Sequence, residues 1–176
     1  MSNVAQRVLR QRGFVPALIT ALGVLVVRLL QDAVPTVVGQ LAYVGSVDQL
    51  SFLVGQVLGY DLPYAVGVLF ALWVIAPIGG ALNLAHVIAR GLLASATGAV
   101  LLLVVQFVYS LVAQVVALGL NLVGFGALDQ LLQAFVSAVG AFFSLTPLVL
   151  LAVLMLWLWH SRRPDRDAAP GLIDEV

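Results

Sequence analysis

GLLASATGAVLLLVVQFVYSLVAQVVALGLNLVGFGAL, residues 91–128, runs from Arg90 to Asp129 without one formal charge. About 18 consecutive apolar residues already suffice for a membrane-spanning helix. This run holds 38 residues, so a helix through it must tilt, project beyond the hydrocarbon, or break near Gly119 and Gly124. The rest of the chain is of the same kind. Of its 176 residues 62% are hydrophobic and 9% charged, whereas a soluble domain carries roughly a quarter charged residues. So few charges cannot cover a water-facing surface, and the chain reads as an all-α integral membrane protein with the bilayer as its solvent.

On the N-terminal side of the central run, Tyr64 to Ala89 is a second apolar stretch, with Pro77, Gly79 and Gly80 at its centre. Before it, Gly45 to Pro63 is more polar and carries Asp48 and Asp61. The first apolar stretch runs from Gly13 to about Tyr43, interrupted by Arg28, Asp32 and Pro35. On the C-terminal side, Asp129 opens a last block that ends at His160 and contains Pro147. The opening MSNVAQRVLRQRGFVPALITALGVLVV has the positive-then-apolar order of a signal peptide. Its apolar part continues past Arg28, which favours a retained helix.

Charge sets the orientation. All eight basic residues are Arg, and seven lie before Gly13, at position 90, or after His160. Asp32, Asp48, Asp61 and Asp129 fall in the alternate connections. The positive-inside rule then puts both termini and a turn at Arg90 in the cytoplasm, in a plasma membrane crossed four times. Net charge is zero, so nothing points to a nucleic-acid partner. The absence of cysteine excludes disulfides and thiolate chemistry.

The chain also reads as a tandem repeat. Aligned from Arg12 and Arg90, the residues Arg12-Gly13, Ala21 and Leu25-Val26-Val27 match Arg90-Gly91, Ala99 and Leu103-Val104-Val105. With short insertions, Asp48-Gln49-Leu50 then meets Asp129-Gln130-Leu131, Pro63 meets Pro147, and Leu72-Trp73 meets Leu156-Trp157. Two spans per unit make two helical hairpins inserted with the same orientation, a parallel repeat. The expected organisation is a cytoplasmic segment (1–11), a first two-helix repeat (12–89), a second (90–161) and a disordered cytoplasmic tail (162–176). Residues 46–60 fit an interfacial helix capped at Ser46 and stopped at Gly59; the matching segment of the second unit, Leu131 to Phe143, is nearly all apolar and fits a continuation into the last span, kinked at Pro147.

Polar residues inside the spans are the candidates for function. At ~100° per residue, Ser95, Gln106, Ser110, Gln114 and Asn121 share about a third of the helix circumference. The repeat sets Arg28, Asp32 and Thr36 opposite Gln106, Ser110 and Gln114. A polar track of this kind passes water or a small ion when it lines an axis; the plainer reading is interhelical hydrogen bonding, worth ~0.6 kcal/mol per group. Arg28 and Asp32 are four residues apart, and Arg28 lies about 22 Å from Gly13 at ~1.5 Å per residue, so a snorkelling ion pair also accounts for them. His86, with Asn83 and Arg90 at helical spacing, is a candidate titrating group; a hydrogen-bonded interfacial histidine is the simpler account. Pro77, Gly79, Gly80 and Pro147 are candidate hinges. Small residues four apart, such as Gly67 with Ala71, Ala94 with Gly98 and Gly140 with Ser144, favour tight helix packing or oligomers. Ser, His and Asp do not form a nucleophile–base set and His86 has no ligand partner, so no catalytic site, metal or cofactor is expected.

FVPALITALGVLVVRLL at residues 14–30, VGSVDQL at 44–50 and GVLFALWVIA at 67–76, followed by Arg90-Gly-Leu-Leu, resemble the repeated conserved transmembrane-helix segment of proteins related to small-conductance mechanosensitive channels. Ala94 stands where a second copy would carry Pro. The resemblance implies an oligomeric, channel-related membrane module. The expectation is therefore a small channel-related or tension-related protein, embedded in lipid as a homo-oligomer or within a larger assembly. The alternative is a non-conducting structural or accessory subunit.

Overall fold

The computed structural model describes residues 14–42, 54–78, 82–118 and 126–162. Every regular element among them is helical. Four helices are long and apolar enough to cross a membrane: α1 (Phe14–Ala42), α2 (Val54–Ile75), α3 (Leu84–Leu118) and α4 (Gly126–Ser161).

Helices adjacent in sequence are adjacent in space, and α4 returns to pack on α1; among the described residues neither diagonal, α1 with α3 or α2 with α4, comes into close backbone contact. The Phe14 ring meets Trp73 edge-on at 5.1 Å while Arg28 meets Asp61, so α1 and α2 run antiparallel. Gly91 against Val153 and Ser95 against Thr146 show the same for α3 and α4. One end of the bundle, here the near end, holds Phe14, Ile75, Leu84 and Ser161. The other, the far end, holds Ala42, Val54, Leu118 and Gly126.

The core follows from side-chain size along each inward stripe. Ala17, Ala21 and Val24 of α1, Tyr64, Val68, Ala71 and Leu72 of α2, Val87, Ala94 and Leu102 of α3, and Leu145, Val149 and Val153 of α4 are buried at helical spacing. Two glycines set the closest approach. A Cβ on Gly67 would lie 2.7 Å from the Gly98 Cα, and one on Gly98 would lie 3.0 Å from the Tyr64 carbonyl oxygen. Only hydrogen side chains let the α2 and α3 backbones touch there. Toward the far end the space opens, for a Cβ on Gly59 or Gly55 would meet nothing within 4 Å.

α2 is irregular in a way its sequence does not announce. Leu62 N–H bonds the Val57 carbonyl and Ala76 N–H bonds the Ala71 carbonyl at 2.8 Å, both five residues back. These widened turns flank a regular α segment at Leu62–Phe70. Such bulges cluster at functional places in helices.

Three positions differ from the sequence reading. The break expected at Arg90 falls earlier, between Ile75 and Leu84. Helix α2 ends at Ile75 before Pro77, and Asn83 begins α3 by accepting from His86 N–H at 3.0 Å, an N-cap bond. Arg90 is two turns inside α3, its guanidinium donating to the Pro77 carbonyl. The charge is met there by a carbonyl that lies outside both helices. Asp61, assigned to a polar connection, is inside α2 and 2% exposed. Gly59 does not stop a helix, since α2 is continuous from Val54; the proposed cap at Ser46 lies outside the described residues. Pro147 and Pro35 both sit inside unbroken helices.

Candidate functional site

The divergence of α2 from α3 beyond the Gly67–Gly98 crossing opens a half-enclosed cleft of about 670 Å³ between α2, α3 and α4. Its walls carry Gln56 and Tyr60 from α2, Gln106, Tyr109 and Ser110 from α3, and Gln130, Gln133 and Ser137 from α4. Among the described residues no charged side chain lines it. The Tyr60 hydroxyl reaches across the bundle to the Ser137 carbonyl at 3.4 Å, and Ser110 donates to the Phe107 carbonyl at 2.8 Å. Glycine at 55 and 59 is what leaves the volume empty.

Toward the near end, the cleft gives way to a chain of three hydroxyls. Tyr64 and Ser95 are 2.6 Å apart, and Ser95 and Thr146 are also 2.6 Å apart. Thr146 donates to the Phe142 carbonyl four residues back. That terminal acceptor sets the polarity of the chain: Tyr64 donates to Ser95 and Ser95 to Thr146. Each buried hydroxyl is thereby satisfied, as an apolar interior requires. Beyond them Val68, Leu72, Val87 and Val149, all 2% exposed or less, close the bundle.

A second polar cluster lies on the other side of α2. Arg28 Nε is 3.3 Å from Asp32 Oδ2 and 3.3 Å from Asp61 Oδ1. The Asp61 side chain is 1% exposed, and those of Arg28 and Asp32 are 24% and 21% exposed. Asp61 Oδ2 is buried without a protein hydrogen-bond partner.

The sequence-predicted residues divide among these places. Gln106 and Ser110 line the cleft; Arg28 and Asp32 do not, because α2 stands between them and it. The two sets form no common track among the described residues. Thr36 and Gln114 are on α1 and α3, with side chains outside the described set, and Asn121 lies outside it altogether. His86 is exposed at the near end, its ring Nδ1 bonded to Asn83. Pro77 stands at the break between α2 and α3, next to Gly79 and Gly80, which lie outside the described residues. Among the described residues no three His, Cys, Asp or Glu gather as a metal site. Sequence reasoning missed Gln56, Tyr60, Gln130 and Gln133. Gln133 stood in a segment read as nearly all apolar, Gln130 counted only as a letter of the repeat, and a stripe drawn on α3 alone cannot reveal partners on α2 and α4. No protein-family model, curated protein or solved structure matches the chain.

Proposed function

We propose that this chain is a multi-pass plasma-membrane protein in which two tandem antiparallel hairpins cross the bilayer four times, with both termini and the connection between α2 and α3 in the cytoplasm. Its function is that of a small channel-related or tension-related module held closed, working as a homo-oligomer or within a larger membrane assembly. Membrane insertion is supported by the outward surface. Ile19, Val100, Phe143 and Met155 are each more than 60% exposed, and a surface of this character suits lipid and not water. The outer placement of the far end rests on the Arg distribution.

One observation carries the functional reading: a polar cleft in the far half stops at a fully packed apolar layer. Such a layer closes a pore by excluding water until the helices part. The Gly67–Gly98 contact is a natural fulcrum, because α2 and α3 touch there and already diverge beyond it. Tension in the outer leaflet would widen the divergence. Patch recording of the full-length protein in liposomes under graded tension tests this. The wild type should conduct only under tension, and Leu72→Asn, which wets the sealing layer, should leak at rest. Silence of both proteins, with helix content intact, would sink the channel reading.

The same glycine contact favours the second reading, a non-conducting accessory subunit. Backbones packed that closely form a rigid layer, and the cleft then serves only to receive a partner or lipid. Silence in the recordings is what that reading requires.

A further inference from the structure

We propose that the cleft between α2, α3 and α4 holds the uncharged headgroup of a glycosyl diacylglycerol, whose acyl chains lie in the surrounding bilayer. The inference deepens the site described above; it rests on the reading of the chain as a membrane protein and not on conduction.

The walls select the headgroup. Gln56 of α2, Gln106 of α3 and Gln130 and Gln133 of α4 line one space of about 670 Å³, within the size range of small-molecule pockets. Each amide offers both donors and an acceptor. Among the described residues the hydrogen bonds of the cleft wall, Tyr60 to Ser137 and Ser110 to Phe107, use none of these four amides. Amides presented from three helices suit a ligand with several hydroxyls, as on a sugar ring. A diacylglycerol has a single hydroxyl and would leave most of them unmatched. Tyr60 and Tyr109 add aromatic surface to the same space, against which the C–H face of a pyranose packs.

Charge argues against phospholipids. Phosphate is held by Arg or Lys, or by open helix N-termini, and among the described residues no charged side chain lines the cleft. The first turn of α4, next to Gln130, carries Asp129, which opposes an anion there. A zwitterionic lipid brings the same phosphate.

Depth favours a lipid over a free sugar. Gln56 and Gln130 lie within a turn of Val54 and Leu128, where the described apolar spans of α2 and α4 begin. That is the level at which headgroups meet the hydrocarbon. Leu58 and Tyr109 line the cleft and are 58% and 76% exposed, so acyl chains leaving it run onto lipid-facing side chains.

Native mass spectrometry of the full-length protein, released from a polyoxyethylene detergent, tests this with three lipids of equal chain length: monogalactosyl diacylglycerol, diacylglycerol and phosphatidylglycerol. The galactolipid should be held about tenfold more tightly than either of the others, and Gln106→Leu and Gln130→Leu, checked for helix content, should each weaken it about tenfold, as expected when a ligand hydroxyl loses its partner. Gly59→Val fills space without touching an amide and should weaken it as well. Equal retention of the three lipids by the wild type overturns the proposal, and so does galactolipid retention that is unchanged in Gly59→Val. Displacement by an equal concentration of free galactose would overturn the choice of a lipid. Failure of the protein to float with liposomes would instead remove the membrane reading on which the proposal rests.

Discussion

Ser95 shows how one small side chain can organise three helices. It is fully buried, receives the Tyr64 hydroxyl and passes its own proton to Thr146. Removing its oxygen leaves the Tyr64 donor without an acceptor, while Thr146 keeps the Phe142 carbonyl. An orphaned buried polar group costs ~1–3 kcal/mol, more than a satisfied bond contributes. Ser95→Ala should therefore destabilise the bundle by about that amount in reversible unfolding in detergent. Tyr64→Phe combined with Ser95→Ala should cost less than the sum of the two, because the second change removes the group that the first left stranded. Additive losses would mean that the hydroxyls do not act as a chain. At this scale the sequence was partly legible. Ser95, Gln106 and Ser110 stand out as polar letters in an apolar run, but which of them is satisfied and which lines space depends on other helices; the partners of Ser95 are 31 and 51 positions away. Asp61 was misassigned for a related reason: beside Asp48 and Gly59 it looks like part of a connection, and only the arginine on another helix makes its burial tolerable.

At the scale of the element, α2 matters most, since it divides the two polar clusters and sets the cleft. Its glycines predict opposite outcomes. Gly67→Val places carbon atoms against the α3 backbone, which cannot move aside as a side chain can. Overpacking of this kind costs ~1–3 kcal/mol, and the crossing would be forced apart. Gly59→Val meets open space, so stability should hold while the cleft loses volume. Thermal unfolding of the two variants side by side checks this; equal losses would mean that α2 does not pivot at Gly67. The extent of the helices was largely readable, because hydropathy over about 20 residues reports the span directly. The break between α2 and α3 was not placed correctly. Arg90 was taken as the boundary because charge marks the ends of spans, yet the physical signals are Pro77, which cannot continue α2, and Asn83, which caps α3. A snorkelling arginine with a carbonyl partner is no boundary.

For the whole molecule, the decisive quantity is which end faces the cytoplasm. At the near end lie Arg90 and Arg162, together with Trp157, whose indole donates to the Leu82 carbonyl at 2.9 Å, and His160. Aromatic and basic residues of this kind favour the headgroup region. At the far end the described residues offer Asp129 in the first turn of α4, where the helix dipole favours an acid. Arginine retained on one side and acid on the other predict the near end inside. The chain has no cysteine, so single substitutions report position without a background. Val54→Cys and Leu128→Cys, both on exposed far-end residues, should react with a membrane-impermeant maleimide added to intact cells. His86→Cys and Ser161→Cys should react only after the membrane is opened. The reverse pattern would place the cleft on the cytoplasmic side, and the outer leaflet could then not be what widens it. Labelling of all four in intact cells would remove the membrane assignment itself, and with it the reason for the apolar outward faces.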